Sequence, residues 1–300
     1  MMQSMPMADA HKSNADADQD SGELDVDALP LTTRFTLGKT ITNVQRRFLE
    51  KHGYLVFANV AKPEEVRMIA SELDRIERDW VAQKRKEVYG IPLFWGKNKK
   101  QPFLQRFPFT SVFSEKIHAF VRDNRFAPIR DLVGTGARIG DREKDGVVVN
   151  RYINMPGSAY PKLGWHTDGV RDLFYLRVPK PMLNIGLHLD ECPKENGGLR
   201  LIPGSHKQGF FSMAFGKMYY SDRPDRREIA VETHPGDLTV HDGNLWHRVA
   251  LSTRKGPESL RRSMYVPYLT DEYQPKDATS KTPLYHKLGA IIRKVKSWVS

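Results

Sequence analysis

Two side chains that commonly bind metal ions stand two residues apart in the segment Gly164-Trp165-His166-Thr167-Asp168-Gly169-Val170. Alternate side chains of an extended strand point to the same side, so His166 and Asp168 are expected to aim at one position. An imidazole and a carboxylate are two of the three ligands in the facial triad that holds Fe(II) and leaves positions open for oxygen and a cosubstrate. The segment therefore predicts part of a metal site, and a third ligand must come from elsewhere.

A second pair of the same pattern, His188-Leu189-Asp190, shows that the pattern also arises in a different context. It stands at the end of the apolar run from Met182 to Leu189, whereas the pair at 166–168 lies between a Pro/Gly-rich loop and a glycine, where backbone can open around a metal. The pair at 166–168 is therefore the metal-site candidate. The alternative interpretation of that pair is a polar turn.

Candidates for the third ligand lie in the segment 234–247. His247 begins a predicted strand after a turn, and His241 is the alternative ligand. Arg261 or Arg262 begins the next predicted strand after a Gly-Pro turn. A guanidinium placed behind the metal could bind a cosubstrate carboxylate through two hydrogen bonds, although a single arginine at a strand start is usually a surface charge.

These residues need a framework of strands, and the sequence predicts many short ones. They lie near 54–57, 147–154, 182–189, 199–202, 229–231, 238–240, 246–251 and 263–268, many of them bounded by Gly or Pro. Helical spacing of apolar residues predicts helices near 40–53, from Pro63 to about Lys86, and in two pieces over 114–133. Residues 90–125 mix aromatic and basic side chains, and their aromatic part is expected to form a flap against the core. This order predicts a mostly β fold with α-helices (α+β), a double-stranded β-helix or jelly roll with helices packed outside.

The composition excludes several classes of protein. The 300 residues are 39% hydrophobic, without an uninterrupted apolar run of about 18 residues, so the sequence contains no transmembrane candidate. The N-terminal residues lack the basic and apolar regions of a signal peptide, and a cytoplasmic location is expected. The single Cys192 cannot form an internal disulfide and excludes a zinc site built from several cysteines.

The net charge of +11 is unevenly distributed. Residues 1–30 carry seven acidic residues against one lysine and predict a disordered acidic tail. The basic remainder favours anionic partners in general, with a solvated basic surface as the simpler interpretation. The sequence contains no nucleic-acid motif and no membrane anchor, so a small-molecule substrate is the expected partner.

The chain is predicted to have a catalytic domain over 40–275 and a basic amphipathic C-terminal helix over 281–300. Apolar residues of that helix share one stripe, namely Leu284, Leu288, Ile291, Ile292, Val295, Trp298 and Val299. The helix is expected to lie outside the catalytic core, docked on the protein itself or on a second subunit of a homodimer. Contact with a membrane surface is the alternative.

From about Phe48 to Tyr268 the chain resembles the phytanoyl-CoA dioxygenase family of non-haem iron, 2-oxoglutarate-dependent oxygenases. Five motifs occur in the family's order. They are His52-Gly53-Tyr54-Leu55-Val56, Trp165-His166-Thr167-Asp168, Glu195-Asn196-Gly197-Gly198-Leu199-Arg200 followed by Pro203-Gly204-Ser205-His206, Pro235-Gly236-Asp237, and His247 followed by Arg261-Arg262. One such motif is weak evidence, but five in order are specific.

The resemblance implies that His166, Asp168 and His247 bind iron and that Arg261 binds the distal carboxylate of 2-oxoglutarate. It makes Asn154 a candidate for the end of 2-oxoglutarate that chelates iron, with Asn184 as a further candidate. Two departures from the family pattern affect this site. Val249 replaces the small hydroxyl residue that often follows the distal histidine, and the long spacing from His247 leaves Arg262 as an alternative anchor.

The implied enzyme is a dioxygenase that uses Fe(II), 2-oxoglutarate and O2, releases succinate and CO2, and hydroxylates an unactivated carbon of a small metabolite or acyl thioester. Because Asp168 is present, halogenation is not expected; halogenating relatives have Gly or Ala at that position. The alternatives are an inactive protein of the same fold, a metal hydrolase with the same ligands, and a protein that acts through its basic surface. Substrate specificity is expected to lie in segments 90–110, 169–180 and 207–228, whose basic and aromatic residues favour an anionic substrate with an apolar part.

Overall fold

The computed structural model describes residues 25–99, 101–173, 180–209, 212 and 216–286. Its α-helices are α1 (Asn43–His52), α2 (Pro63–Ala82), α3 (Thr110–Phe113), α4 (Glu115–Val121), α5 (Ala127–Val133) and α6 (Val170–Leu173). Its strands are β1 (Tyr54–Phe57), β2 (Glu87–Val88), β3 (Ile91–Pro92), β4 (Phe94–Asn98), β5 (Gln101–Phe107), β6 (Arg138–Ile139), β7 (Val148–Tyr152), β8 (Leu163–His166), β9 (Met182–His188), β10 (Gly198–Leu201), β11 (Ile229–Ala230), β12 (Leu238–Asp242), β13 (His247–Ala250) and β14 (Arg261–Leu269).

Local sequence accounts for the ends of the first helix. The side chain of Thr42 accepts a hydrogen bond from the backbone N–H of Gln45, and the side-chain oxygen of Gln45 accepts one from the backbone N–H of Thr42, which satisfies two N–H groups at the helix start. Gly53 ends the helix with a φ of 82°, a left-handed conformation that glycine adopts without a steric penalty. Helix α1 therefore begins and ends close to the predicted positions.

Most of the described strands form the two sheets of the fold, and β2 and β3 pair with each other in a small separate sheet. The larger has the order β1-β12-β9-β14-β7-β5-β4, with β6 also paired to β14, and the smaller has the order β11-β10-β13-β8. The pairings between these strands are antiparallel. This is the jelly roll with outer helices that the sequence predicted.

The main hydrophobic core lies between the helices and the outer face of the larger sheet. Along β9, Leu183, Ile185 and Leu187 belong to this core, together with apolar residues of α2. The alternate residues Asn184 and His188 are buried on the opposite face, between the two sheets. A sheet with a polar row on its inner face leaves room for a site inside the jelly roll.

Three features of the structure differ from the sequence-based expectations. Helix α2 ends at Ala82, before the predicted Lys86. Within the predicted flap, β4 and β5 form a hairpin at the edge of the larger sheet, so this part extends the sheet. Val26 is buried in the main core, so the folded part of the chain already includes residues assigned to the acidic tail.

The remainder of that tail, residues 1–24, lies outside the described residues, as do residues 287–300 of the predicted C-terminal helix. Within the described part of the chain, no helix is both long enough and apolar enough to cross a membrane.

Candidate metal centre and its pocket

The two candidate histidine ligands lie directly opposite each other on neighbouring strands. His166 ends β8 and His247 begins β13, and these two residues are partners in the antiparallel pairing of the smaller sheet. Their ring centroids are 4.1 Å apart. Strand pairing therefore brings together two imidazoles that are far apart in the sequence.

Both histidine rings are held in the same way. The Nδ1 atom of His166 lies 2.9 Å from the carbonyl oxygen of Gly164, and Nδ1 of His247 lies 2.9 Å from that of Leu245. A ring that donates its Nδ1–H to a carbonyl presents the lone pair of Nε2, the form in which histidine binds a metal. Burial lowers the pKa of His247 well below its ordinary value, and the neighbouring His166 and His241 lower it further, so this ring is neutral.

Asp168 completes the group. One ligand atom from each of His166, Asp168 and His247 can be chosen so that all three lie within 4.8 Å of one another. The side-chain amide of Asn184 donates a 2.8 Å hydrogen bond to Asp168 Oδ2. Two imidazole nitrogens and one carboxylate, with the carboxylate oriented by a neighbouring amide, form the donor set that suits non-haem Fe(II).

His241, the alternative ligand, lies behind this group. Its Nε2 is 3.4 Å from Asp168 Oδ2, and its ring centroid is 4.5 Å from that of His247. The ring is buried, and neither of its nitrogens forms a hydrogen bond within the described part of the chain. The cluster of possible metal ligands contains His247 and not His241.

The three candidate ligands line a cavity of about 330 Å³ between the sheets. Aromatic residues form much of its wall: Phe94, Tyr152, Tyr160, Tyr220, Tyr265 and Tyr285. Asn184 also lines it. A metal held by the three ligands would therefore face a partly open cavity with several aromatic rings in its wall.

Arg261 lies in the wall of a second, smaller cavity, next to the first. Tyr152, Val249 and Tyr265 line both cavities. The guanidinium of Arg261 is buried and donates to the carbonyl oxygens of Ala250 at 2.7 Å, Pro161 at 3.1 Å and Ser259 at 3.3 Å. These contacts fix the position of the guanidinium. The three residues shared by the two cavity walls lie between it and the metal ligands.

Gly197 makes room for this guanidinium, which explains one glycine of the Asn-Gly-Gly motif. Its φ of 78° is left-handed, and an added Cβ would lie 2.7 Å from Arg261 Nη1 and 2.4 Å from the carbonyl oxygen of Ala250. A larger residue at this position would displace Arg261.

Arg262 lies on the opposite face of β14 and is bound elsewhere. Its guanidinium forms a two-pronged ion pair with Asp190, at 2.7 Å and 2.9 Å. Asp190 belongs to the second His-x-Asp pair, whose histidine, His188, is hydrogen-bonded to Thr239 and Ser263. The second pair therefore contributes its two side chains to separate structural contacts.

Asn154 is placed differently from the expectation. Strand β7 ends at Tyr152, and the side-chain amide of Asn154 donates to the carbonyl oxygens of Ser252 at 2.9 Å and Arg254 at 3.1 Å. Asn154 is not among the residues that line either cavity. The structure gives its amide a contact that fixes the turn before β14.

Three residues outside the predicted specificity segments, Asp145, Tyr285 and His286, line the main cavity together with Arg106 of the predicted segment 90–110. Arg106 forms an ion pair with Asp145, and Tyr285 and His286 contact the same carboxylate. Tyr285 and His286 lie at the start of the predicted C-terminal helix, which was expected to stay outside the catalytic core. No local spacing in the sequence links these four residues, because the contacts join parts of the chain that are distant in sequence.

Comparison with known proteins supports the same class. The family model of phytanoyl-CoA dioxygenase (PhyH) matches residues 49–250. A probable alpha-ketoglutarate-dependent hypophosphite dioxygenase of Stutzerimonas stutzeri is 26% identical over 216 residues, which cover 68% of this chain and 70% of that protein. An ectoine dioxygenase of Bordetella bronchiseptica is 26% identical over 163 residues, which cover 53% of this chain and 47% of that protein.

Solved structures share the fold. HygX from Streptomyces hygroscopicus, with nickel and 2-oxoglutarate bound, matches with a TM-score of 0.56 and 19% identity over 81% of this chain and 90% of that one. The alpha ketoglutarate dependent epimerase SnoN from nogalamycin biosynthesis matches with a TM-score of 0.53 and 17% identity over 80% of this chain and 85% of that one.

The jelly roll and the combination of two histidines and an aspartate define the class of iron- and 2-oxoglutarate-dependent dioxygenases. The chain belongs to the phytanoyl-CoA dioxygenase family, as its motifs predicted.

Proposed function

We propose that this dioxygenase hydroxylates an unactivated carbon of a mid-sized organic metabolite that has an apolar body and an anionic group. His166, Asp168 and His247 would hold Fe(II), and Arg261 would anchor 2-oxoglutarate. The observation that carries the proposal is the convergence of the three ligands on the wall of the main cavity. When bound, the metal would let O2 act as the oxidant with 2-oxoglutarate as the electron donor, chemistry that no protein side chain provides.

The chain's own residues prepare this site before any ligand arrives. The carbonyl groups of Gly164 and Leu245 select the ring form that binds a metal, and Asn184 orients the carboxylate. The aromatic rings in the wall would cover part of a bound substrate, and the removal of water from that part strengthens the polar contacts next to it. A site that is already ordered loses little free energy to reorganisation when substrate binds.

Arg261 is the better candidate for the cosubstrate anchor than Arg262. It is 3% exposed and lies behind Tyr152 and Val249, whereas Arg262 is engaged with Asp190. The carbonyl groups that accept from Arg261 hold its guanidinium flat in one position, which favours two parallel hydrogen bonds to a carboxylate. The hydrogen bond from Asn184 to Asp168 favours a role in orienting the ligand over direct contact with the cosubstrate.

The size and lining of the cavity support an organic substrate. Two relatives are named for hypophosphite and for ectoine, so the family is compatible with substrates of very different size. A cavity of about 330 Å³ is within the range that holds small organic ligands. Its aromatic residues favour an apolar body, and Arg106 and Lys144 in its wall favour an anionic group.

The test begins with the purified full chain, reconstituted anaerobically with Fe(II). Exposure to air and 2-oxoglutarate is expected to give succinate and CO2, slowly without a primary substrate and faster with the correct one. A panel of organic acids with apolar bodies is then screened for faster succinate formation, and the product is examined by mass spectrometry for one added oxygen atom. Failure to form succinate with any compound would contradict the proposal, as would a requirement for zinc in place of iron.

A matched pair of variants assigns the metal site. His247→Ala is expected to lose Fe(II) binding and succinate formation together. His206 lies in the turn after β10, away from the candidate ligands, and its ring contacts the carbonyl group of Glu50. His206→Ala is therefore expected to retain both Fe(II) binding and succinate formation. Equal loss in the two variants would show that histidine removal harms the fold and not the site.

A further inference from the structure

A small hydrophobic cluster, separate from the main core, forms part of the wall of the main cavity. Tyr152, Tyr160 and Val249 are buried in this cluster, and Phe94 and Leu163 pack against them. All five residues line the main cavity. Tyr152 and Val249 also line the smaller cavity of the proposed cosubstrate anchor, whereas the other three line the main cavity alone. Those three therefore face the space left for the primary substrate.

The smaller sheet places this cluster beside the candidate metal ligands. Val249 follows His247 by two residues on β13, so the two side chains share one face and their backbone positions are about 7 Å apart. Leu163 on β8 is the partner of Val249, as His166 is the partner of His247. An apolar row therefore lies next to the row that carries the two histidines.

Three aromatic rings continue from this apolar row in a chain of contacts. The ring centroids of Tyr152 and Tyr160 are 4.9 Å apart, and the ring of Phe94 meets that of Tyr160 edge-on at 5.0 Å. The guanidinium of Arg106 lies over the Phe94 ring at 5.8 Å. Tyr152 and Tyr160 are only 2% and 8% exposed, whereas Phe94 is half-buried. Phe94 is therefore the residue of the three with the largest exposed fraction.

A β-bulge lets the hairpin of β4 and β5 face the core and the cavity at once. Phe94 pairs with Arg106, but Trp95 pairs with Leu104, so one step on β4 matches two on β5 and Gln105 is the extra residue. Without the bulge, Leu104 and Arg106 would share a face. In the structure Leu104 belongs to the main core and Trp95 packs against that core, while Phe94 and Arg106 line the cavity. Bulges often aim side chains in this way next to functional sites.

Gln105, the extra residue of the bulge, fixes the loop that carries Tyr160. It is fully buried, and its Oε1 accepts hydrogen bonds from the backbone N–H groups of Ala159 at 2.7 Å and Tyr160 at 3.0 Å. Its Nε2 donates to the carbonyl oxygen of Tyr160 at 3.1 Å and to the hydroxyl of Ser158 at 2.8 Å. The same bulge therefore positions Phe94 and orders its neighbour Tyr160, and an ordered surface costs less free energy to bind.

We infer that the ring of Phe94, supported by Tyr160, is a specificity-determining contact for the apolar body of the primary substrate. The inference deepens the proposed function and depends on it. It places the apolar body against the hairpin, beside the row formed by Leu163 and Val249. A cyclic or branched hydrocarbon group would cover this surface, whereas a small inorganic anion would not.

The test uses two probes with the same carboxylate, 3-phenylpropionate and propionate, of which only the first has an apolar ring. The full chain is loaded with Ni(II) and saturating 2-oxoglutarate, so that a stable complex can be titrated calorimetrically. The native protein is expected to bind 3-phenylpropionate at least about tenfold more tightly than propionate, because a phenyl ring leaves water on binding. Equal affinity for the two probes, or no binding of either, would overturn the inference.

Variants locate this preference within the cavity. Phe94→Val and Phe94→Leu both remove the ring, and valine suits a strand; each is expected to reduce the ratio of the two affinities by about threefold to tenfold. Phe94→Tyr keeps the ring and is expected to keep the ratio. Phe103→Val is the matched control, because Phe103 lies on the same hairpin, is also half-buried and is outside the cavity lining.

The results divide as follows between support and refutation. A lower ratio in the variants without the ring, with the native ratio kept in Phe94→Tyr and Phe103→Val, supports the contact. A native ratio in folded Phe94→Val or Phe94→Leu overturns it, and so does an equal fall in Phe103→Val, which would trace the effect to the hairpin as a whole. Succinate formation is measured separately on the native protein; if it occurs while the ratio ignores Phe94, the contact fails and the proposed dioxygenase function stands.

Discussion

The side-chain amide of Asn184 donates a 2.8 Å hydrogen bond to Asp168 Oδ2, which joins the larger sheet to the candidate metal ligand that follows strand β8 of the smaller one. Asn184 pairs across the strands with His241, whose Nε2 approaches the same oxygen to 3.4 Å. Two neighbouring strands therefore present side chains to a single carboxylate oxygen. The contact of 2.8 Å is a normal hydrogen bond, whereas the contact of 3.4 Å is long for one.

The first prediction follows from that difference. Asn184→Leu keeps the side-chain volume but removes the donor, and it is expected to weaken Ni(II) binding by about tenfold to a hundredfold, because outer partners of metal ligands have effects of this size. Isothermal titration of the apoprotein with Ni(II) measures the change.

His241→Phe is the matched comparison, since it removes a ring whose nitrogens form no hydrogen bond within the described residues. It is expected to change Ni(II) affinity much less and to leave the free energy of unfolding nearly the same, because an apolar ring of similar shape replaces it. A larger loss of metal affinity in His241→Phe than in Asn184→Leu would reverse the two roles.

The sequence contained different amounts of information about the three candidate ligands. His166 and Asp168 are close in sequence, and the alternation expected of an extended segment predicted them together, although β8 ends at His166 and Asp168 lies in the bend that follows. His247 reaches them only because β13 pairs with β8 in a register that sets His247 opposite His166. Local spacing does not determine such a register, and the expectation for His247 came from the order of the family's motifs.

The second prediction separates the two arginines at the start of β14. Arg261→Gln is expected to raise the 2-oxoglutarate concentration needed for half-maximal succinate formation, because loss of a buried partner of a carboxylate costs on the order of 2–5 kcal/mol. Arg262→Gln is expected to leave that concentration nearly unchanged and to lower the free energy of unfolding, since its guanidinium is paired with Asp190. The opposite pattern would assign the anchor to Arg262.

Other parts of the site could not be predicted, for physical reasons that differ from residue to residue. Asn154 is the last residue of a predicted strand, but in the structure that strand ends two residues earlier, and the amide of Asn154 donates to the turn carbonyl groups of Ser252 and Arg254. Tyr285 lies in a stretch with helical periodicity, which predicts an apolar stripe. It gives no indication that Tyr285 reaches Asp145 across the chain. Leu284, placed on that stripe, is 58% exposed.

The third prediction concerns pH. The ring of His188 is buried between Thr239 and Ser263, and burial lowers its pKa from 6.5 to about 4. Because the folded-state pKa is the lower one, its contribution to stability is complete above pH 6.5 and is lost as the pH falls toward 4. Between pH 7.5 and pH 5 this histidine alone is expected to reduce the free energy of unfolding by about 2 kcal/mol.

Urea unfolding at both pH values, on the native protein and on His188→Gln, measures this contribution. The glutamine can hydrogen-bond but does not titrate, so the difference between the two pH values is expected to shrink by about 2 kcal/mol. An unchanged difference would mean that His188 binds protons equally well in the folded and unfolded chain.

The last prediction concerns the reaction itself, hydroxylation against halogenation. Related halogenating enzymes have Gly or Ala at the position of the carboxylate ligand, which leaves a place for chloride. In this chain Asp168 occupies that position, is buried, and is held by Asn184. Turnover of the true substrate in excess chloride or bromide is therefore expected to give an oxygenated product, identified by mass spectrometry. Asp168→Gly is expected to lose most of the hydroxylation and to bind Ni(II) more weakly, because the site loses its carboxylate. A halogenated main product from the native protein would refute the assignment of Asp168 as a ligand that excludes halide.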